Sequence, residues 1–391
     1  MQICICRIRV EYVKLEEICT IVSGGTPSRS KPNYWNNGNI PWIKIKDMKS
    51  KYIDSAEEFI TEEGLNNSST KMLKRDTILY SIFATLGEVG ILKIDACTNQ
   101  AIAGLSLKED SNILKEYLYY YLKSKKKDVN NLGRGVAQNN INLSLLRKFK
   151  IPVIPLRQQK KIIEVLDNVS STINNYEREL ALLDELVKAR FVEMFGTIYD
   201  KKFDMKTLPD IVSSDKNSIK RGPFGGALKK EDFLEDGYMV YEQRHAIHED
   251  FEYAKYYVSP EKYESMIGFK VVPGDLIISC SGTLGRIAEV PMGAKEGIIN
   301  QALLKISLNK DIMNNQFFIY QFRCKEIQDM LFGISRGSGI ANMPSMNEVK
   351  AFKFICPPLE LQNQFASFVE EIDKSRLLSN HSLFLIKSII F

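Results

Sequence analysis

Between Pro155 and Gly196, apolar residues recur in alternating steps of four and three: Ile162, Leu166, Val169, Ile173, Tyr176, Leu180, Leu183, Val187 and Met194. Arg190 is the only charged residue on that seam. A heptad pattern sustained this long predicts a coiled-coil helix rather than an ordinary amphipathic one. The helix runs from about Leu156 to Phe195, spans roughly 60 Å at 1.5 Å per residue, and closes at Gly196. The register returns near the C-terminus, where Phe365, Val369, Ile372, Leu383, Ile386 and Ile390 form a seam interrupted by Arg376 and Ser379. This second helix is shorter. A helix with one apolar seam must bury it, and each of the two offers the other a partner of matching register.

The remaining sequence has a different texture. Short apolar runs such as Thr77-Ile78-Leu79-Tyr80 and Asp275-Leu276-Ile277-Ile278 are punctuated by Gly, Pro and Asn, as strands are. Helical stretches are expected near Ile113 to Lys125 and near Asn315 to Leu331. Two α+β globular domains follow, over 1–155 and 200–358, separated by spacer helices over 156–199 and 359–391.

The two halves repeat each other. Thr85-Leu86-Gly87 returns as Thr283-Leu284-Gly285, and Asn99-Gln100-Ala101 as Asn300-Gln301-Ala302. Phe149-Lys150 with Pro155-Leu156 and Gln159 returns as Phe352-Lys353 with Pro358-Leu359 and Gln362. The separation stays near 200 residues, far beyond solenoid periods of about 20–50, so a whole unit is duplicated. The second globular domain begins where the first helix ends and finishes where the second begins. An antiparallel pair satisfies both junctions at one end of the rod, giving a pseudo-twofold dumbbell with a globular domain at each end.

Composition narrows the function classes. No run of about 18 apolar residues exists, so no transmembrane helix is expected, and Met1 to Val10 does not resemble a signal peptide. The seven cysteines, Cys4, Cys6, Cys19, Cys97, Cys280, Cys324 and Cys356, form no CxxC pair, which points to reduced thiols in a cytoplasmic protein. A net charge of +5 permits nucleic-acid binding only if the basic residues cluster. Candidate clusters are Arg29 with Lys31, Lys44 with Lys46, Lys123 to Lys127, and Arg221 with Lys229 and Lys230.

Catalytic constellations are nearly missing. Gly222-Pro223-Phe224-Gly225-Gly226 lacks the Walker spacing, and there is no amino-methyltransferase Asn/Asp-Pro-Pro-Tyr/Phe motif. Glu348-Val349-Lys350 with Asp329 matches an acidic-x-lysine nuclease pattern that is common by chance. His245 and His248 are spaced like half a zinc site, but a solvent-exposed loop is the expected setting. No cofactor or metal is expected.

The opening loop of each domain carries more promise. Ser23-Gly24-Gly25-Thr26-Pro27-Ser28-Arg29 precedes Tyr34-Trp35 and Ile40-Pro41-Trp42-Ile43-Lys44-Ile45-Lys46. The second copy offers Lys220-Arg221-Gly222-Pro223-Phe224-Gly225-Gly226, Lys229-Lys230 and Gln243-Arg244-His245. Glycines permit close backbone approach, hydroxyls and lysines hold phosphates, and arginine reads guanine edges. Trp35 and Trp42 are expected to pack rather than to stack on bases.

These loops, the Thr-Leu-Gly and Asn-Gln-Ala segments and the doubled Pro-Leu-x-x-Gln helix start resemble the DNA specificity subunits of type I restriction–modification systems. The likeness covers nearly the whole chain. It implies two target recognition domains, each reading half of a bipartite site in double-stranded DNA. It also implies spacer helices that hold the half-sites apart and dock two methyltransferase (modification) subunits, restriction subunits that join that core, and no catalysis in this chain. On that basis base contacts fall to Arg29, Lys44, Lys46, Arg221, Gln243 and Arg244. Phosphate positioning falls to Thr26, Ser28, Lys31, Lys229 and Lys230. The alternatives are a non-catalytic coiled-coil adaptor joining two protein partners, and a nuclease built on Glu348 and Lys350.

Overall fold

The computed structural model describes residues 10–133, 141–197, 200, 202–333 and 343–390. The chain divides into two compact units, Met1–Asn174 and Asn175–Phe391, and the division falls inside the first long helix. Both units are α+β and share one plan.

In the first unit, a five-stranded sheet runs in the order Cys19–Ser23, Ile102–Leu107, Ile78–Ser81, Val89–Leu92 and Tyr52–Ile53. A smaller sheet places Ile40–Ile43 between Glu58–Ile60 and Cys97–Thr98. The second unit repeats this with Ile219–Arg221, Leu303–Ile306, Leu276–Ser279 and Ile287–Glu289 in one sheet. Its other sheet orders Tyr257–Val258, Tyr238–Tyr241, Gly297–Ile299 and Lys270–Val271.

The central strands read as unbroken apolar runs because both of their faces are covered. Ile78 and Tyr80 join the core beneath the helix Lys115–Ser124, whereas Leu79 joins a second core with Ile43 and Ile102. The duplicate alternates identically: Leu276 and Ile278 face one core and Ile277 the other. The helix expected over Asn315 to Leu331 is two helices, Asn315–Arg323 and Lys325–Phe332. The break falls at Cys324, whose extended backbone lets Gln328 turn back to donate to the Phe322 carbonyl at 2.6 Å.

The repeated motifs are structural joints. Ser81 Oγ donates to the Thr85 carbonyl and accepts the Glu88 N–H; Ser279 does the same with Thr283 and Arg286. Thr-Leu-Gly is therefore a hairpin turn in both units. A further equivalence has no matching motif in sequence: Gly24 and Gly222 lie against the carbonyls of Asn99 and Asn300. A Cβ at either glycine would come within 2.0 and 1.8 Å of those oxygens, so no side chain fits.

Pro-Leu-x-x-Gln starts each long helix and clips it to its unit. Gln159 is fully buried; its Oε1 accepts the Leu114 N–H at 2.8 Å and its Nε2 donates to the carbonyls of Asn112 and Ile154. Gln362 reproduces this with Asn314, Ile312 and Pro357. Frame strands Glu11–Lys14 with Lys150–Val153, and Met205–Thr207 with Lys353–Ile355, sit beside the two helix starts.

The long helices are Leu156–Phe195 and Leu359–Ile390. Within the second unit they pair antiparallel: Asp184 meets Arg376 at 2.6 Å, Glu179 meets Ser379 at 3.1 Å and Glu177 meets Lys387 at 2.9 Å. One set of numbers falls as the other rises. The two polar interruptions of the second seam are thus partners for acidic residues of the first helix. Val187, Phe365, Val369 and Leu383 are buried, and Tyr176, Leu180, Leu183, Ile372 and Ile386 are half-buried. Beyond Arg190 the seam widens into an aromatic cluster of Phe191, Phe195, Phe317, Tyr320 and Phe365.

In the first unit Leu166, Val169 and Ile173 are half-buried. Ile162 is 38% exposed, and it is Ile163 that packs on the core. The helix start is turned toward its own globular body there, where Asp167 accepts from both Lys51 and Tyr120.

Candidate nucleic-acid interface

In the first unit both tryptophans hold the opening loop from beneath. Trp42, buried, donates its indole N–H to the Gly25 carbonyl at 3.0 Å, and half-buried Trp35 donates to Ser28 at 3.1 Å. Their rings meet edge to face at 5.0 Å. Thr26 is fixed through Gln100, Ser28 through Ser30 at 2.9 Å, and Lys31 through the Tyr34 hydroxyl at 3.0 Å.

The three cations expected to reach bases stand together, but with acidic company. The Arg29 guanidinium lies 3.6 Å above the Trp35 ring and donates to Glu58 Oε2 at 2.5 Å. Lys44 donates to Oε1 of the same carboxylate, and Lys46 to Glu57. Burial alone would raise the Glu58 pKa, but hydrogen bonds from Lys44 and Arg29 hold it below the usual carboxylate range. Glu57 is likewise lowered by Lys46.

The second unit builds its surface from different side chains. Arg221 ends the strand Ile219–Arg221 with its guanidinium 5.4 Å from the ring of Phe224, which is 66% exposed. Lys229 and Lys230 are exposed at the start of a short helical turn, where Asp232 accepts the Lys229 backbone N–H at 2.7 Å. Gln243 and Arg244 open the helix Gln243–His248, and Arg244 sits 4.0 Å over Tyr253 and 3.5 Å from Asp250. Among the described residues, Arg221 Nε and Gln243 Oε1 are buried without a hydrogen-bond partner. Ser68, Tyr80, Thr98, Arg190 and Arg376 each hold such an atom as well, so this is not peculiar to the residues expected to bind DNA.

The two surfaces are topologically equivalent. Lys44-Ile45-Lys46-Asp47 and Glu242-Gln243-Arg244-His245 each follow a strand, Ile40–Ile43 or Tyr238–Tyr241, that has one antiparallel and one parallel neighbour. In each, the fourth residue accepts the first residue's backbone N–H, through Asp47 Oδ2 or His245 Nδ1. His245 is therefore not in an exposed loop. It is buried, with Nδ1 as acceptor and Nε2 donating to the Tyr253 carbonyl at 2.8 Å. Among the described residues no cluster of His, Cys, Asp or Glu is arranged to hold a metal.

Other sequence candidates are committed to packing. Glu348 caps the helix Met346–Ala351, accepting from Ser345 N at 2.9 Å and Oγ at 2.7 Å, and these bonds lower its pKa. In the run Lys123 to Lys127, Lys125 pairs with Asp128, Lys126 pairs with Glu88, and burial lowers the pKa of Lys123. Burial pushes the thiols of Cys19, Cys280 and Cys324 up to about 12, so none is a ready nucleophile. Cys4 and Cys6 lie outside the described residues. No helix among the described residues is long and apolar enough to cross a membrane.

The long helices keep a second apolar surface. Leu377 and Leu378 are each 71% exposed, followed seven residues on by Phe384 at 68% and Leu385 at 47%. Leu182, Leu186 and Val192 on the first helix are also exposed.

Known proteins share this arrangement. The chain is 34% identical over 188 residues to the type I restriction enzyme EcoR124I/EcoR124II specificity subunit of Escherichia coli, covering 46% of each chain. It is 30% identical over 187 residues to the type I restriction enzyme MjaIX specificity subunit of Methanocaldococcus jannaschii, covering 46% of this chain and 43% of that one. The matched segments thus span less than half the length of these curated relatives. The crystal structure of a type I restriction–modification S subunit from M. genitalium shares the fold, with a TM-score of 0.56 at 16% identity over 98% of this chain and 95% of that one. The type I restriction modification DNA specificity domain family matches twice, over residues 8–184 and 201–386. The chain belongs to that family and carries its domain in two copies.

Proposed function

We propose that this chain is the non-catalytic DNA-reading subunit of a type I restriction–modification complex, working in the cytoplasm. Each unit reads one half of a bipartite target in double-stranded DNA, and the helices set the spacing. One observation carries this reading. Two copies of one framework present different side chains at equivalent places: Lys44-Ile45-Lys46 in one stands where Glu242-Gln243-Arg244 stands in the other, and Ser23 stands where Arg221 does. With Arg29, these supply the base contacts Arg29, Lys44 and Lys46 in the first unit and Arg221, Gln243 and Arg244 in the second. Thr26, Ser28, Lys31, Lys229 and Lys230 flank these sets as phosphate contacts.

A single bidentate base contact discriminates by only ~1–3 kcal/mol, so two joined units are needed for a rare site. Genome-wide methylation mapping is expected to show one asymmetric bipartite motif that vanishes when the chain is deleted. An Arg221→Ala variant is expected to lower methylation about 5–150-fold, relaxing one half only. Methylation that is indifferent to the chain, with no salt-sensitive DNA binding, would leave the adaptor reading in its place.

We place the docking of the two methyltransferase subunits on the exposed apolar faces of the helices. Leu378 and Leu385 lie two residues past the seam positions Arg376 and Leu383, about 200° round the helix, on the side away from the pair. Contiguous apolar exposure of this kind marks a protein interface. Leu377→Asp with Phe384→Asp is expected to abolish co-purification with the methyltransferase and leave the circular dichroism spectrum unchanged. An undiminished complex would refute this surface. Restriction subunits join the assembled core.

A further inference from the structure

We infer that Glu58 sets the selectivity of the first unit by admitting a base edge and refusing the phosphate backbone, an inference that rests on the DNA-reading function proposed above. Each oxygen of its carboxylate takes one cation, Arg29 Nη2 on Oε2 and Lys44 Nζ on Oε1. The Lys44 side chain is only 18% exposed and that of Glu58 31%. Arg29 is fixed from a second side by the Trp35 face beneath it. Both cations are therefore positioned before any ligand arrives.

A phosphate approaching either cation meets a carboxylate already within hydrogen-bonding reach, whose charge offsets one of the two positive charges and weakens the pull on phosphate. A guanine edge is different. Its O6 and N7 are neutral acceptors for the remaining guanidinium donors, and the paired cytosine offers an N4–H donor that a carboxylate accepts. Glu58 thus turns a pair of cations that would grip any DNA into a device that favours a G·C pair. Glu57 does the same at the rim by holding Lys46.

The test uses the full chain in complex with its methyltransferase subunits. The probes are a duplex carrying the methylated motif and duplexes of equal length with each half-site scrambled in turn. Filter binding is measured across a salt series for the wild type and for Glu58→Gln, which keeps the shape and removes the charge. The variant is expected to bind the scrambled duplexes about tenfold more tightly, with a salt slope steeper by about 1 per phosphate gained. The ratio of motif to scrambled binding is expected to fall about tenfold, and methylation mapping is expected to show degeneracy at one G·C position of one half-site. Equal weakening on every duplex would make Glu58 a scaffold residue and overturn the inference, as would an unchanged ratio. A wild type that binds motif and scrambled duplexes alike would overturn the DNA-reading function itself.

Discussion

Seven residues inserted between Asn174 and Asn175 are expected to change the spacer between the two methylated half-sites by up to about three base pairs, with both half-sites unaltered. The site lies between the first unit's hold on the helix, at Gln159 and Asp167, and the ion pair of Glu177 with Lys387 of the second helix. Seven residues add about 10 Å and return the helix face to within about 20° of its starting direction. At ~3.4 Å of rise per base pair that length bounds the shift. A five-residue insertion is the sharper control. It turns everything before it by about 140° relative to everything after and is expected to abolish methylation. If both insertions left the methylated motif unchanged, the helix would be a tether rather than a ruler.

The seam between the two long helices is legible in sequence because heptad burial leaves a periodic trace. Even its two polar gaps were visible, although their reason was not: Arg376 and Ser379 answer Asp184 and Glu179, about 190 to 200 positions away in sequence. The helix start was less legible. Ile162 satisfies the period, but the first unit's core takes Ile163, because local packing against a globular body overrides a pattern set by a helix partner.

The candidate site divides in the same way. Its cations are legible because basic loops near glycines are conspicuous. Glu57 and Glu58 are not legible, because a carboxylate some 30 residues from Arg29 carries no local signal, and the pairing of Ile40–Ile43 with Glu58–Ile60 brings them together. A lone histidine spacing says nothing about which backbone groups need a partner, so the sequence points to an exposed loop at His245 where the structure buries it. The equivalence of Gly24 and Gly222 is not legible either, since their flanks differ and only their contacts with the repeated Asn99 and Asn300 relate them.

Replacing Gln362 with leucine is expected to destabilise the second unit by about 3–5 kcal/mol. Leucine of similar bulk leaves the buried Pro357 carbonyl and the half-buried Asn314 N–H with their partner removed, and the half-buried Ile312 carbonyl with only the Cys356 thiol, at about 1–3 kcal/mol for each group left without a partner. Gln159→Leu is expected to act equally on the first unit, and the two effects should add, because they share no partner. Gln158→Leu, at an exposed position, should stay within about 0.5 kcal/mol of the parent. Hydrogen exchange reads each clip directly: the amides of Leu114 and Asn314 should lose protection in their own variants alone. Unchanged protection at Asn314 in Gln362→Leu would remove the clip from the account. The functional consequence follows from what the glutamine joins. On the proposed function, its helix sets the spacing and its unit holds the reading loops, so a loosened joint should leave each half-site preference intact while the complex begins to methylate targets with a spacer one base pair too long or too short.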